Sequence, residues 1–251
     1  TISNGAYKDW NYNRIRLINQ AIQDVSEGTL PQEVKDNITG QALFMRAYTY
    51  FNMVMYHGGV PYIKVPQDRY EDDLFVARNS TAESFDFLME DLDQAISLLP
   101  ESIDPGSGDF GRIDGSFALA FKAKVLLYKA SPQFNPTNPF DNVYWSEAHV
   151  ANKQAYESLM ANGYGLSDEY SDIALDEGNR ETVFAVINSY PNKTGNWDFG
   201  VRPGSESRGP ASATPTWEFI KEYPMLDGKL YNDPTGEYYM TDEEFLQNYW
   251  K

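Results

Sequence analysis

The residues best placed to do chemistry in this chain are aromatic and amide rather than nucleophilic. The run Asn188-Ser189-Tyr190-Pro191-Asn192-Lys193-Thr194-Gly195-Asn196-Trp197-Asp198-Phe199-Gly200-Val201-Arg202 sets a Tyr and a Trp among amides, a carboxylate and a guanidinium, in a Gly/Pro-punctuated segment. Flat apolar rings can lie against the C–H face of a pyranose, while amides, carboxylates and Arg reach its hydroxyls. Trp197, Tyr190, Asn196 and Arg202 are therefore candidate ligand contacts. Trp197 leads them, because a Trp exposed in a Gly/Asn loop costs more than one in a core. A Trp that merely anchors its loop is an equally weighted competing reading. A second group, Trp10 and Asn13, lies near the start of the first helix beside Asn11 and Tyr12. There core packing is the heavier competing reading.

Covalent catalysis finds little support. The chain has two histidines, His57 and His149, and no cysteine, which removes disulfides, zinc–thiolate sites and a Cys nucleophile. His57 falls at a helix end and His149 in a first turn, and neither is framed by partners. No HExxH, GxSxG or P-loop pattern occurs. Carboxylates are plentiful, so counting alone does not remove a glycosidase pair. They fall, however, on helix faces (Asp86, Glu90, Asp93) and in loops (Asp68, Glu71, Asp72, Asp73), where solvation is the usual explanation. Asp104, Asp109 and Asp114, or Asp233 and Glu237, could offer oxygens to calcium. Neither set has EF-hand spacing, turn chemistry is favoured, and no cofactor or metal is expected. With 37 acidic against 20 basic residues the net charge is −17, which would repel nucleic-acid phosphates.

Helical periods position these residues. Ile15, Ile18, Ile22 and Val25 form a stripe that predicts a helix over Asp9–Ser26, with Gly28 and Pro31 as its stop. Gln41–Tyr56 carries two stripes, Leu43/Ala47/Tyr50/Val54 and Phe44/Tyr48/Phe51/Met55. Arg46 is the only charge between Gly40 and His57. A helix apolar on most of its circumference must sit between other helices, and Gly58-Gly59-Val60-Pro61 then turns the chain tightly out of it. Ser80 and Glu83 have capping-box spacing ahead of a helix whose apolar face is Phe85, Leu88, Leu92, Ala95 and Leu99 and whose stop is Pro100. Gly115–Ala130 repeats the all-round apolar pattern. Ser146 is the expected cap of a fifth helix ending at Asn162-Gly163. Beyond it the pattern changes: Thr182–Tyr190 alternates like a short strand, and Pro191–Thr216 is loop-rich. A short helix follows at Thr216–Tyr223, and Thr241 and Glu244 form a capping box that opens a last one. Buried and amphipathic helices in alternation describe a degenerate helix-hairpin array of tetratricopeptide-like kind, without the tetratricopeptide signature itself.

Several blocks, in order along almost the whole chain, carry a family resemblance. The run RAYTYFNMVMYHGGVPYI from Arg46 resembles the Arg-Ala…Tyr-Phe…Tyr-Gly-Gly-Val-Pro signature of the SusD/RagB family. Arg78-x-Ser80, Asp91-Leu92 with Ala95, Leu99-Pro100, Gly111-Arg112, Lys122-Ala123-Lys124-Val125 and Tyr223-Pro224 continue the match. Members of that family are longer, glycan-binding, surface-exposed outer-membrane lipoproteins. The resemblance implies a central fragment of such a protein, with the anchoring Cys outside this chain. It also implies a SusC-like TonB-dependent transporter as partner. Its matched motifs are scaffold and assign no ligand residue.

The expected fold is mainly α: a tetratricopeptide-like helical hairpin array over residues 1–165 and a loop-rich region over 166–251 carrying a short strand or two. The expected function is non-catalytic capture of an oligosaccharide or polysaccharide at the cell surface and its delivery to the transporter. No nucleic acid is involved, and the membrane is contacted only through a lipid anchor outside this chain. The alternative is an all-helical carbohydrate-active enzyme, a glycoside hydrolase or lyase.

Overall fold

A computed structural model describes residues 10–104, 106–176, 178–188, 191–192 and 216–249. They divide into two units, Thr1–Val186 and Ile187–Lys251.

The first unit is a helical array: α1 (Tyr12–Glu27), α2 (Gln32–His57), α3 (Thr81–Leu98), α4 (Gly115–Ala130), α5 (Tyr144–Ala161) and a single turn, α6 (Asp172–Leu175). Each of the first four packs on the next in sequence, as a hairpin array requires. The two all-round apolar helices are the inner ones, and the packing shows why. In α2, Leu43, Phe44, Ala47, Tyr50, Phe51 and Val54 are buried against Ile15 of α1, against Phe85, Leu88 and Leu92 of α3 and against Ala118, Phe121 and Val125 of α4. The second expected stripe of α2 is only partly covered, because Tyr48 remains exposed. The opposite face of α4 (Ala123, Leu126, Ala130) meets Ala148, Ala151 and Ala155 of α5. Alanines at 3–4 spacing let those two backbones approach closely.

Two helix starts differ from expectation. α2 begins nine positions before Gln41, just after Pro31, so Pro31 opens a helix instead of closing the previous one; proline fits there because its missing N–H would have no intrahelical partner. Gly40 thus lies inside the helix, where a Cβ would come within 2.9 Å of Leu99 Cγ. α5 begins at Tyr144, so Ser146 is a first-turn residue and not the cap. The Ser80/Glu83 box forms as expected, with both reciprocal bonds present.

The turn after α2 is fixed by close approach. A Cβ on Gly59 would fall 2.0 Å from the Asn79 carbonyl oxygen. Val60, Tyr62 and Gly59 then donate their backbone N–H groups to Ser84 Oγ (3.2 Å), Asn79 Oδ1 (3.0 Å) and Thr81 Oγ1 (3.1 Å). Arg78 donates to the carbonyls of His57 and Gly59.

The strand expected at Thr182–Tyr190 is a correction. Among the described residues there is no strand, and 182–188 is irregular chain. Burial does alternate there, but side chains, not a ladder, seat the segment: the Phe184 ring stacks on Phe117 of α4 at 4.5 Å. Alternation reports which residues face the protein; a strand also needs a neighbouring backbone edge.

In the second unit, α7 (Trp217–Lys221) is capped by Thr216, and α8 (Asp242–Tyr249) opens on the Thr241/Glu244 box. Tyr231 is buried, stacks on Phe245 at 4.1 Å and donates its hydroxyl proton to Asp242 Oδ1 at 2.5 Å. Among the described residues no helix is long and apolar enough to cross a membrane.

Candidate functional site

A buried polar lock sits behind the site. Arg46, the only charge of α2 between Gly40 and His57, is 5% exposed. It donates a fork to Asp91 of α3 (2.6 and 2.8 Å), and it donates also to Asn19 Oδ1 (2.8 Å) and the Lys64 carbonyl (2.9 Å). Asn19 of α1 spends its amide protons on the carbonyls of Ile63 and Val65. Tyr62 stacks on Tyr50 at 3.7 Å and donates to Asp91 Oδ2 (2.8 Å). Burial first, and then the Asp91 carboxylate, push the Tyr62 phenol well above its ordinary value, so it stays a donor. Tyr12 donates to the Pro61 carbonyl (2.9 Å), and burial raises its phenol to about 12. The extended segment after Pro61 is thus tied to α1, α2 and α3 at once.

That lock shapes a cleft of about 390 Å³ between α1 and residues 63–74. The volume lies within the range of small-ligand sites. Its floor is apolar, from Ile15, Ile63 and Val65, and its polar rim is Asn13, Arg16, Gln67 and Arg69. Tyr12 forms one wall. The Trp10 ring lies nearly parallel to the Tyr12 ring (11°) with centroids 6.4 Å apart, and stacks on His57 at 4.2 Å while 49% exposed. An aromatic shelf therefore leads into a cleft edged with amides and guanidinium groups.

A larger cleft of about 560 Å³ lies among residues 102–114, the end of α5 and 178–185. Its polar groups are already engaged in holding loops. Arg112 pairs with Asp109 (2.6 Å) and Arg180 with Asp168 (3.4 Å). Asn162 donates to Ser116 and to the Ser158 carbonyl, and Asn179 to Thr182. Size favours this cleft, but among the described residues the arginines of the α1 cleft have no ion pair, which makes it the candidate site.

Of the expected contacts, Trp10 and Asn13 are brought to one place. Trp10 is half-exposed at the shelf and not in a core, and Asn13 is on the cleft rim. Tyr190, Asn196, Trp197 and Arg202 lie outside the described residues. Sequence reasoning missed Arg16, Gln67 and Arg69. Arg16 was within reach, since it stands three positions after Asn13 and shares its helix face. Arg69 lay hidden in a loop read only for its acids. Of the helix-starting tryptophans, Trp145 donates to the Pro139 carbonyl (3.0 Å), and Trp217 packs on Phe245 (5.5 Å). Of the five carboxylates weighed for calcium, three serve the backbone: Asp114 accepts from Phe117 N–H (2.8 Å), Asp104 from Gly106 N–H (2.8 Å) and Asp233 from Thr235 N–H (2.8 Å). Among the described residues no group of three or more His, Asp or Glu could hold a metal ion.

Residues 3–127 match the family model described as SusD-like, "starch-binding associating with outer membrane". SusD-like protein P38 of Formosa agariphila is 25% identical over 94% of this chain and 48% of its own length. A SusD-like protein of Bacteroides fragilis has a solved structure that superposes with a TM-score of 0.61 at 28% identity, covering 74% of this chain and 34% of that one. A laminarin-binding SusD-like protein gives 0.58 at 23% identity, covering 75% and 39%, and speaks for the fold alone. The chain thus spans about half the length of its curated relative and just over a third of each solved one. The order of buried and amphipathic helices, the turn at Gly58-Gly59-Val60-Pro61 and these likenesses agree: residues 3–127, the first helices of the array, are SusD-like.

Proposed function

We propose that this chain is part of a non-catalytic glycan-capture protein of the outer membrane. It grips an oligosaccharide or polysaccharide and delivers it to a SusC-like TonB-dependent transporter, with a lipid anchor holding the protein at the cell surface. The observation that carries the reading is the Trp10–Tyr12 shelf leading into the α1 cleft with Asn13 and Arg16 on its rim. Stacking supplies the non-directional part of the grip, and the rim supplies directed hydrogen bonds. The description of the matched family supports the sugar and the membrane. The transporter rests on the family resemblance. Trp197, Tyr190, Asn196 and Arg202 are proposed as further contacts on composition.

Native electrophoresis through gels containing a panel of polysaccharides tests this. One or more gels should retard the chain, Trp10→Ala should lose most of that retardation, and Trp197→Ala should lose part of it. No reducing ends should be released. Release of reducing ends would move the chain to the carbohydrate-active enzymes. Equal retardation of Trp10→Ala and the parent would remove the shelf from the site. Pull-down with a SusC-like transporter should be unchanged in both variants; loss of association with glycan binding intact would make these residues an interface.

A further inference from the structure

The rim of the α1 cleft is out of keeping with the rest of the molecule. The chain carries a net charge of −17, yet no acidic residue lines this cleft and two arginines, Arg16 and Arg69, do. Arg46, Arg112 and Arg180 pair with carboxylates, and Arg78 donates to backbone carbonyls. Arg16 and Arg69 have no ion pair or hydrogen bond among the described residues. Arg14 also lacks one, but it does not line the cleft.

Three of the four acids of the 68–75 loop are engaged by its own backbone. Asp68 accepts from the N–H groups of Tyr70 (2.7 Å) and Glu71 (3.2 Å). Asp72 accepts from Asp68 N–H (2.7 Å) and Asp73 from Phe75 N–H (2.9 Å). These bonds close the 68–75 loop on itself and hold the carboxylates of Asp68, Asp72 and Asp73 in the turn, while Arg69 and Leu74 line the cleft. Among so many acids, an arginine with no carboxylate partner keeps its fork of donors available to a ligand.

We propose that the α1 cleft selects anionic sugars: a uronate carboxylate or a sulfate ester seated between Arg16 and Arg69, with its ring on the Tyr12–Trp10 shelf and a neighbouring hydroxyl at Asn13. A planar guanidinium donates two parallel bonds to either anion, which a neutral hydroxyl cannot match. The negative surface elsewhere discourages an acidic polymer from settling at other places, so the arginine rim sets register as well as class. The inference rests on the glycan-binding reading and narrows it.

Titration calorimetry of the chain against oligogalacturonate, a sulfated galactan oligosaccharide, and malto- and laminari-oligosaccharides of equal length tests it. Binding to at least one acidic ligand should be about tenfold tighter or more than to either neutral one. Arg16→Gln and Arg69→Gln should each weaken the acidic ligand about tenfold and a neutral one by a smaller factor, because Gln keeps a donor for a hydroxyl and loses the charge and the fork. Arg16→Lys should fall between, because it keeps the charge and loses the fork. Both arginines are exposed and unpaired, so the variants should unfold at the parent's temperature. The carboxylate and sulfate arms tell the two anions apart. Tighter binding of a neutral glycan, or acidic binding indifferent to both substitutions, overturns the proposal and leaves the glycan reading standing. Binding of neither class overturns both.

Discussion

Arg46 is the residue on which most of the first unit's specificity turns. Its fork to Asp91 is buried, so removing one partner strands the other's charge away from water. Arg46→Met should cost about 3–5 kcal/mol in urea unfolding, whereas Arg46→Met with Asp91→Leu should recover most of that loss. Recovery of less than about a third would mean that the bonds from Arg46 to Asn19 and Lys64 matter more than the ion pair. Asp114, the buried cap of α4, makes a contrasting case. Burial raises its carboxyl above the ordinary 3.8, and bonds from Phe117 and Ile103 only partly oppose that. The protonated form therefore favours the fold. That contribution is fully present below 3.8 and is lost as pH rises through the folded value. Asp114→Asn should keep the cap and flatten this part of the pH profile, while Asp114→Ala should cost about 1 kcal/mol at pH 7. Arg46 was visible in the sequence as a lone charge in an apolar helix. Its partners were not, since Asp91 and Asn19 come from other helices. The site divides the same way. Trp10 and Asn13 could be singled out because both sit at the start of one helix. Arg69 could not, because only the tertiary tie of the segment after Pro61 brings its loop to α1.

Elements were legible where one face or one cap decides them. α3 has both an amphipathic face and a capping box, and its limits follow from sequence. Ser80→Ala should destabilise by about 1 kcal/mol, read as an equal shift in unfolding midpoint at unchanged slope. The core face of α2 was equally plain, but its beginning was not: the polar residues 32–39 show little apolar period, and the start is set by Pro31 and by packing beyond it. The segment 182–188 failed in the opposite sense, since alternation was present and no ladder formed among the described residues. The turn after α2 gives the sharpest test at this scale. At Gly40 a Cβ meets side-chain atoms, Leu99 Cγ at 2.9 Å and Leu98 Cβ at 3.3 Å; at Gly59 it meets backbone, the Asn79 carbonyl oxygen at 2.0 Å. Gly59→Ala should therefore cost about 3 kcal/mol. Gly40→Ala should stay within about 1 kcal/mol, since the helix preference for Ala offsets the shift of Leu99. Similar costs for the two would mean that the turn yields as easily as a side chain.

At the scale of the whole molecule, charge works against compactness. The excess of 17 negative charges repels itself in the folded state more than in the expanded one. The exposed pairs Arg112–Asp109, Lys153–Glu157 and Arg180–Asp168 pull the other way. Such pairs are each worth about 0–1 kcal/mol and are themselves screened. The buried Arg46–Asp91 pair is screened far less, so it holds at any ordinary ionic strength. Repulsion summed over the surface should therefore outweigh the few surface attractions. Raising salt from about 0.01 M to about 0.15 M shortens the screening length from about 30 Å to about 8 Å. The melting temperature should rise with it, by roughly 2–4 °C for each kcal/mol of repulsion removed. Differential scanning calorimetry in sodium chloride, repeated in potassium chloride to separate screening from ion binding, reads the sign directly. A fall in melting temperature would mean that the surface pairs form a stabilising network rather than scattered contacts. A rise would mean that the acidity is carried at a cost in stability.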